Sequence, residues 1–371
     1  MILILLTGVL ERGGIQRVSK HYSSILTKFA NKNNLKVYLI SLNDNSDVKG
    51  FEFNKNYYNL KSCGGNKIKF CFYAVYFGLK SKLLFSNHKS LAIICKLIKT
   101  LKPSIDYIIL AHGREIWDYP PSWITKLSFN NAYKIIAVSN YTKSKIIDIY
   151  QLDNNKIQVI NNALDPDFSF SNEIEMDLPI PQDSIFLLTV CRLNKSEPGK
   201  GVDTVLKSLP KVLEKVSNLI YIIVGKGDLI KELSNLVVKL RINKNVIFIQ
   251  DISDEILKEY FKRCEIFVMP SIQEGFGLVF IEAMYYRKPV IGCEQGGVMD
   301  IIENGINGYL IEENNSNQLS EYIIKLLTDK EIYTYLAFNA EKTVHEKFIF
   351  NTFEEKITNL LDNIYSEDIN S

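Results

Sequence analysis

Short apolar runs alternate with longer stretches of helical periodicity almost to the end of this 371-residue chain. That alternation predicts βαβ units and parallel sheets. In the first half, strands are expected near Ile2 to Leu6, Leu35 to Leu42, Ile105 to Leu110, Tyr133 to Val138 and Ile157 to Ile160. In the second half they fall near Ile185 to Val190, Ile220 to Val224, Val246 to Ile249, Ile266 to Met269, Val290 to Ile291 and Tyr309 to Ile311. Ser139 follows a strand and is placed to cap the helix that begins in NYTKSKIIDIY. Between the two sets lies LDPDFSFSNEIEMDLPIPQDS, acidic, Pro-containing and without periodicity, which reads as the linker. The fold class is therefore α/β, with two doubly wound, Rossmann-like domains over residues 1–170 and 171–349 facing a cleft. No internal repeat or low-complexity tract interrupts them.

Composition narrows the class. Six cysteines are scattered without paired spacing, which predicts reduced thiols in a cytoplasmic protein. The opening MILILLTGVL lacks a basic flank and meets Glu11 and Arg12 at once, so it reads as a strand rather than a signal peptide. No run approaches the ~20 apolar residues of a membrane span. The net charge of +2 hides an asymmetry: residues 1–175 hold 23 Lys and Arg against 13 Asp and Glu, while residues 176–371 hold 21 against 29. Much of the basic excess lies between Lys55 and Lys102, interleaved with aromatics as in KIKFCFYAVYFGLKSKLLF. A basic amphipathic helix there is a candidate for peripheral contact with an anionic membrane, on the inner face of the cytoplasmic membrane; a core-packing helix with lysines turned to water is the alternative. Nucleic acid is not an expected partner, because no recognition motif accompanies the charge.

In doubly wound sheets ligands sit beyond the carboxyl ends of the strands. GVLERGGIQR, LAHGRE, CRLNKSEPGKG and MPSIQEGFG all follow strands, so all four are placed to line one cleft. In SIQEGFGLVFIEAMYYRKPVIG, Gly275 and Gly277 let backbone approach a ligand at a helix N-terminus. Glu274 falls at the edge and Glu282 inside the helix, where carboxylates accept hydrogen bonds from hydroxyls. Arg192 and Lys200 bracket a Gly- and Pro-containing loop suited to wrapping an anion, Arg as a planar fork and Lys as a point charge. Gly13 and Gly14 open the first helix, whose free N–H groups favour a phosphate. Cations, amide donors and hydroxyl acceptors together fit a nucleotide diphosphate sugar as co-substrate, with no other cofactor.

The ensemble resembles glycosyltransferase family 4, the group 1, retaining nucleotide-sugar transferases of the GT-B fold. The resemblance covers nearly the whole chain: GGIQRV, LAHG, IIAVSNYTK, VINNALDPDF, LLTVCRL with GKGVDTVLKSL, YIIVGKGDL, and PSIQEGFGLVFIEAMYYRKPVIG followed by Gly296 and Gly297. It implies that Arg192 and Lys200 hold the donor diphosphate, that Glu282 binds the ribose and Glu274 the transferred sugar, and that N–H groups from Phe276, Gly277 and Leu278 assist. It places His112 beside the anomeric centre. It also implies that residues 1–170 bind the acceptor, a glycan or lipid-linked molecule of cell-surface polysaccharide, lipopolysaccharide or glycolipid synthesis. Residues 171–349 would bind the donor, and a final helix at about 350–371 would pack back on the first domain. The chain departs from the family in two places: Arg192 and Lys200 are eight apart, leaving Lys195 as a competitor, and Lys226 stands where an acid is frequent. Asp165-Pro166-Asp167 matches the letters of a metal-binding DxD but falls in the family's structural turn, so transfer is expected to be metal-independent. A nucleotide-sugar epimerase or glucan synthase of the same fold is the nearest alternative. A bilobal solute-binding protein is the alternative without catalysis.

Overall fold

All five residues of β1 (Ile2–Leu6) are buried, which an ILILL run achieves only in a sheet covered on both faces. The computed structural model describes residues 1–168, 178–181 and 184–370. After β1 come α1 (Gly14–Lys32), β2 (Val37–Ser41), a hairpin of β3 (Gly50–Phe53) and β4 (Asn56–Asn59), and the short β5 (Lys61–Ser62). α2 (Lys67–Gly78), β6 (Leu83–Ser86), α3 (Ala92–Leu101) and β7 (Asp106–Ala111) follow. The half continues through the single turn α4 (Arg114–Trp117), α5 (Trp123–Asn130), β8 (Lys134–Ala137), α6 (Asn140–Tyr150) and β9 (Ile157–Val159). The main sheet is parallel, in the order β5-β2-β1-β6-β7-β8-β9. The chain steps from β1 to β2 and then returns to lay β6 on the other side of β1, so the winding reverses between β1 and β6. Under one face of this sheet, Leu84, Tyr107 and Ile109 pack with Phe70 and Ala74 of α2, Ile94 and Ile98 of α3, and Phe129 of α5. Ser139 caps α6, its hydroxyl accepting from the Thr142 N–H at 3.1 Å, as its position after a strand predicts.

One expectation fails. The Lys/aromatic stretch is not one amphipathic helix: α2 ends at Gly78, and Leu83–Ser86 leave it as a fully buried central strand paired with β1 and β7. A four-residue strand without polar alternation carries no period of its own, and beside an apolar helix it reads as more helix.

The second unit begins at Phe168, and the expected linker with its 170/171 boundary falls largely outside the described residues. Its elements are β10 (Ile185–Val190), α7 (Val202–Leu213), β11 (Leu219–Val224), α8 (Ile230–Lys239), β12 (Val246–Ile249), α9 (Asp254–Arg263) and β13 (Ile266–Val268). Then come α10 (Leu278–Tyr285), β14 (Val290–Cys293), β15 (Tyr309–Ile311), α11 (Ser316–Thr328) and α12 (Lys330–Lys347). The sheet is again parallel, ordered β12-β11-β10-β13-β14-β15, and its winding reverses between β10 and β13.

The last helix, α13 (Phe350–Asn370), belongs to the first unit, which comprises Met1–Asp167 and Phe350–Ser371. It lies along α1: the Phe353 ring meets Tyr22 edge-on at 5.3 Å, Tyr22 stacks on Phe85 at 4.9 Å, and Lys28 pairs with Glu354 at 2.8 Å. Burying Phe353 to 2% exposure contributes roughly 1.5–3 kcal/mol. His21 sits in the same seam, fully buried between Phe350 and Phe353, with its Nε2 2.7 Å from Asp165 Oδ1. Arg17 reaches the other oxygen of Asp165 at 2.9 Å. Burial holds the imidazole below its ordinary range in spite of the carboxylate, so it stays neutral and donates from Nε2. Burial pushes Asp165 the opposite way, but the His21 hydrogen bond and the Arg17 charge outweigh it and hold the carboxyl well below the usual carboxylate range. Asp165, the first carboxylate of the DxD letters, is thereby committed to tying the end of this half to α1.

Both groups are depressed in the folded state, so below their ordinary values of 6.5 and 3.8 the unfolded chain binds the extra protons and stability falls with pH. The melting temperature should decline from pH 7 to pH 4. His21→Gln should be less stable at pH 7 by roughly 1–3 kcal/mol and should lose the part of the decline between pH 6.5 and 5. A wild-type pH profile in this variant would contradict the assignment.

Candidate active site

The loops leaving β10 and β13, on either side of the reversal in the second sheet, carry most of the predicted residues. Residues 191–201 lead into α7 and residues 269–277 into α10. The two loops are tied together: the Ile272 N–H donates to the Gly199 carbonyl at 2.9 Å. Gly201, at φ +73, approaches so closely that a Cβ there would stand 2.3 Å from the Pro270 carbonyl oxygen, so only glycine permits the seam. Across it, Lys200 Nζ donates to Glu274 Oε2 at 2.9 Å, with side-chain exposures of 18% and 20%. Burial pulls the Lys200 ammonium down, but Glu274 more than offsets this and holds it above its ordinary range. It is a fixed cation at neutral pH.

Gly277, at φ +102, caps α10 without a side chain, and the first turn carries no acid. The helix therefore presents backbone N–H groups and the positive end of its dipole, starting at Leu278, beside the Lys200–Glu274 pair. Phe276 is buried and anchors the turn edge-on against Phe348 at 5.7 Å. The Gly297 N–H donates to the Glu274 carbonyl at 2.7 Å and fixes that backbone from the next loop. Glu282, on the second turn of α10, is buried at 3% exposure. Arg192 is largely exposed and pairs with Glu197 at 3.1 Å. Lys195 is exposed, and its backbone N–H is held by Asp228 at 2.7 Å, so Lys200 and not Lys195 is the lysine joined to Glu274. Lys226 pairs with Asp251 on the exposed surface at 2.8 Å.

Glu197 is a residue that pattern reading missed. It lies inside the loop that lengthens the Arg192–Lys200 spacing, pairs with the first cation and acts electrostatically on the second. The signal was an acid midway along CRLNKSEPGKG. Ser271 was also passed over; its buried hydroxyl has no protein partner in the loop that carries Glu274.

In the first unit, taken by itself, His112 and the Gly13–Gly14 pair lie at the carboxyl ends of β7 and β1. α1 starts after Gly13 without a side-chain cap and without an acid in its first turn. His112 Nε2 lies 2.7 Å from the Asn87 carbonyl, which can only accept, so Nε2 carries the proton and Nδ1 the lone pair. Burial holds this imidazole below its ordinary range. Glu115 accepts the His112 and Gly113 N–H groups at 2.6 and 3.2 Å and so fixes the loop. Asn87 in turn accepts the Thr7 N–H through its side chain at 2.9 Å and donates to Ser19 at 2.9 Å, joining the loops after β1 and β6. His88 follows β6, and it too is depressed by burial, with Glu115 and His112 nearby. A cavity of about 560 Å³, lined by Thr7, Glu11, Gln16, Asn43, Asn45 and other polar groups, opens beyond β1 and β2.

Comparison with known proteins fits this geometry. Residues 170–343 match the glycosyl transferases group 1, and residues 68–168 match Glycosyltransferase Family 4. An uncharacterized glycosyltransferase of Methanocaldococcus jannaschii is 29% identical over 63% of this chain and 61% of its own length. The capsular polysaccharide biosynthesis glycosyltransferase CapM of Staphylococcus aureus is 27% identical over 65% of this chain and 64% of its own. The chain thus spans less than two thirds of the length of these relatives. The crystal structure of Anabaena HepE with UDP and glucose superposes with a TM-score of 0.77 at 17% identity, over 98% of this chain and 100% of that one, which establishes the GT-B fold.

Glu197 competes with any incoming anion for Arg192 and Lys200. Glu197→Gln should therefore bind inorganic pyrophosphate about three- to fivefold tighter by calorimetry, the scale of one exposed ion pair. Unchanged or weaker binding would contradict this placement of Glu197.

Proposed function

Because residues 68–168 match Glycosyltransferase Family 4, residues 170–343 match the glycosyl transferases group 1 and the chain takes the GT-B fold, we propose that it moves a hexose-type sugar from a nucleotide diphosphate sugar onto a glycan or lipid-linked acceptor. The setting we infer is synthesis of cell-surface polysaccharide or glycolipid, as for CapM. The observation that carries this reading is the 2.9 Å contact of Lys200 with Glu274 at the reversal of the second sheet, under the open N-terminus of α10.

The chemistry follows from what each group offers. Breaking the bond from sugar to diphosphate builds negative charge on the leaving oxygen, and prearranged cations and amide dipoles stabilise that charge. Lys200 and Arg192 are the cations, and the first N–H groups of α10 are the dipoles. Glu274 accepts hydroxyls of the transferred sugar and Glu282 those of the ribose. Before the donor arrives, Lys200 and Glu274 neutralise each other; the donor offers each a better partner, phosphate oxygen to the ammonium and hydroxyl hydrogen to the carboxylate. His112, neutral and with its lone pair on Nδ1, suits acceptance of a sugar hydroxyl rather than donation of a proton.

We further propose retention of anomeric configuration: the acceptor oxygen attacks on the face the diphosphate leaves, and its proton passes to the departing phosphate oxygen. No separate carboxylate base is then required. The reading is metal-independent because side-chain cations meet the leaving charge, while Asp165 is engaged by His21 and Arg17. The polar cavity beyond β1 and β2 is the proposed acceptor site, since its carboxylate and amides suit hydroxyl groups.

A thermal-shift screen of UDP-, GDP- and ADP-sugars identifies the donor, because a ligand of the folded state raises the melting temperature. With that donor, Lys200→Ala and Glu274→Ala should each lower turnover at least ~100-fold, the scale of losing one charge-stabilising group. Near-normal turnover in both variants would overturn the assignment.

A further inference from the structure

Helices that cover a sheet normally turn their polar side to water, and α6 does so with Ser144 and Asp148. Three neighbours on the same face of the first sheet do not. On α2, Ile68 and Phe72 are 84% and 65% exposed, with Tyr76 completing a row spaced by four. Ile93, Leu97 and Leu101 form an equivalent exposed row on α3, and Trp123, at 72% exposure, begins another on α5 with Leu127. The opposite sides of all three helices are in the core, with Phe70, Ile98 and Phe129 facing the sheet. α3 packs between α2 and α5, so the rows lie side by side as one apolar surface. Exposed apolar surface this continuous marks an interaction site.

The charged side chains carried by the three helices are all lysines. From Phe53 to Ile105 the chain holds ten lysines and no carboxylate. Among the described residues, Lys67, Lys69, Lys80, Lys82 and Lys126 have no ion-pair partner, and the Lys80 ammonium lies 3.7 Å over the Tyr76 ring, its stem along the apolar surface. No helix among the described residues is long and apolar enough to cross a membrane.

We propose that the outer faces of α2, α3 and α5 together form a docking surface for an anionic lipid bilayer. The apolar rows enter the boundary between headgroups and acyl chains, and the lysine rim holds the phosphates. Charge complementarity selects this occupant over a second copy of the chain: a two-fold self-contact would set the lysine rim against itself, whereas lipid phosphates neutralise it. The inference is independent of the donor chemistry.

The test uses the full chain with vesicles of phosphatidylcholine, with and without phosphatidylglycerol, at low salt. The chain should co-sediment with the phosphatidylglycerol vesicles, and its tryptophan emission should shift to the blue, since Trp123 is one of only two tryptophans and the exposed one. Phe72→Glu combined with Leu97→Glu should weaken vesicle binding at least ~tenfold, because apolar area drives interfacial insertion. The double variant should keep its melting temperature and its thermal response to the donor. Trp123→Phe should abolish the blue shift while co-sedimentation persists. The proposal is overturned if the chain stays in the supernatant, or if it binds without a blue shift and indifferently to the two glutamates, leaving electrostatics alone. It is equally overturned if the chain is a dimer that Leu97→Glu splits.

Discussion

The contact between Lys200 and Glu274 organises the second half of this molecule. The two residues are 74 positions apart and meet only because the sheet reverses its winding between β10 and β13. Each is mostly withdrawn from water, and either alone would be a costly uncompensated charge. Together they are tolerated, and on the function proposed above a ligand with a phosphate and hydroxyls satisfies both at once. The surrounding backbone keeps the geometry fixed: the Gly199–Ile272 bond joins the two loops and the Gly297–Glu274 bond braces the second. A rigid frame around a replaceable ion pair is what a binding site for a doubly functional ligand requires.

The first half uses the same topology with different chemistry. Asn87 bridges the loops after β1 and β6 and orients His112 from below, so the imidazole's tautomer is set by backbone rather than by a titrating partner. The buried His21–Asp165–Arg17 group serves architecture: it fastens the residues that close this half to the helix that opens it, and α13 packs over the same place.

Much of this was legible in the sequence. Eleven strands are legible as short, mostly apolar runs, because both faces of a parallel sheet are buried and such runs admit few readings. Glu274 and Glu282 stand out as carboxylates separated by an almost wholly apolar stretch, and Lys200 because with Arg192 it brackets a Gly- and Pro-containing loop suited to an anion. What escaped was information that does not reside in local pattern. β6 is four residues long and adjoins an apolar helix, so its strand character comes from pairing with β1 and β7. With β6 unseen, Asn87 and His88 lost their position at a strand end. Glu197 escaped because its meaning lies in a partner five residues away across a turn, which spacing alone does not reveal. The outward apolar rows of α2, α3 and α5 needed the solvent-facing side of each helix to be known.

The central claim is that one pocket grips diphosphate and sugar by parting Lys200 from Glu274. A crystal structure of the chain with its nucleotide diphosphate sugar tests this most directly. The account predicts Lys200 Nζ on a phosphate oxygen, Glu274 on sugar hydroxyls and the diphosphate over the N-terminus of α10. A bound donor with the Lys200–Glu274 pair intact and the diphosphate elsewhere would contradict it.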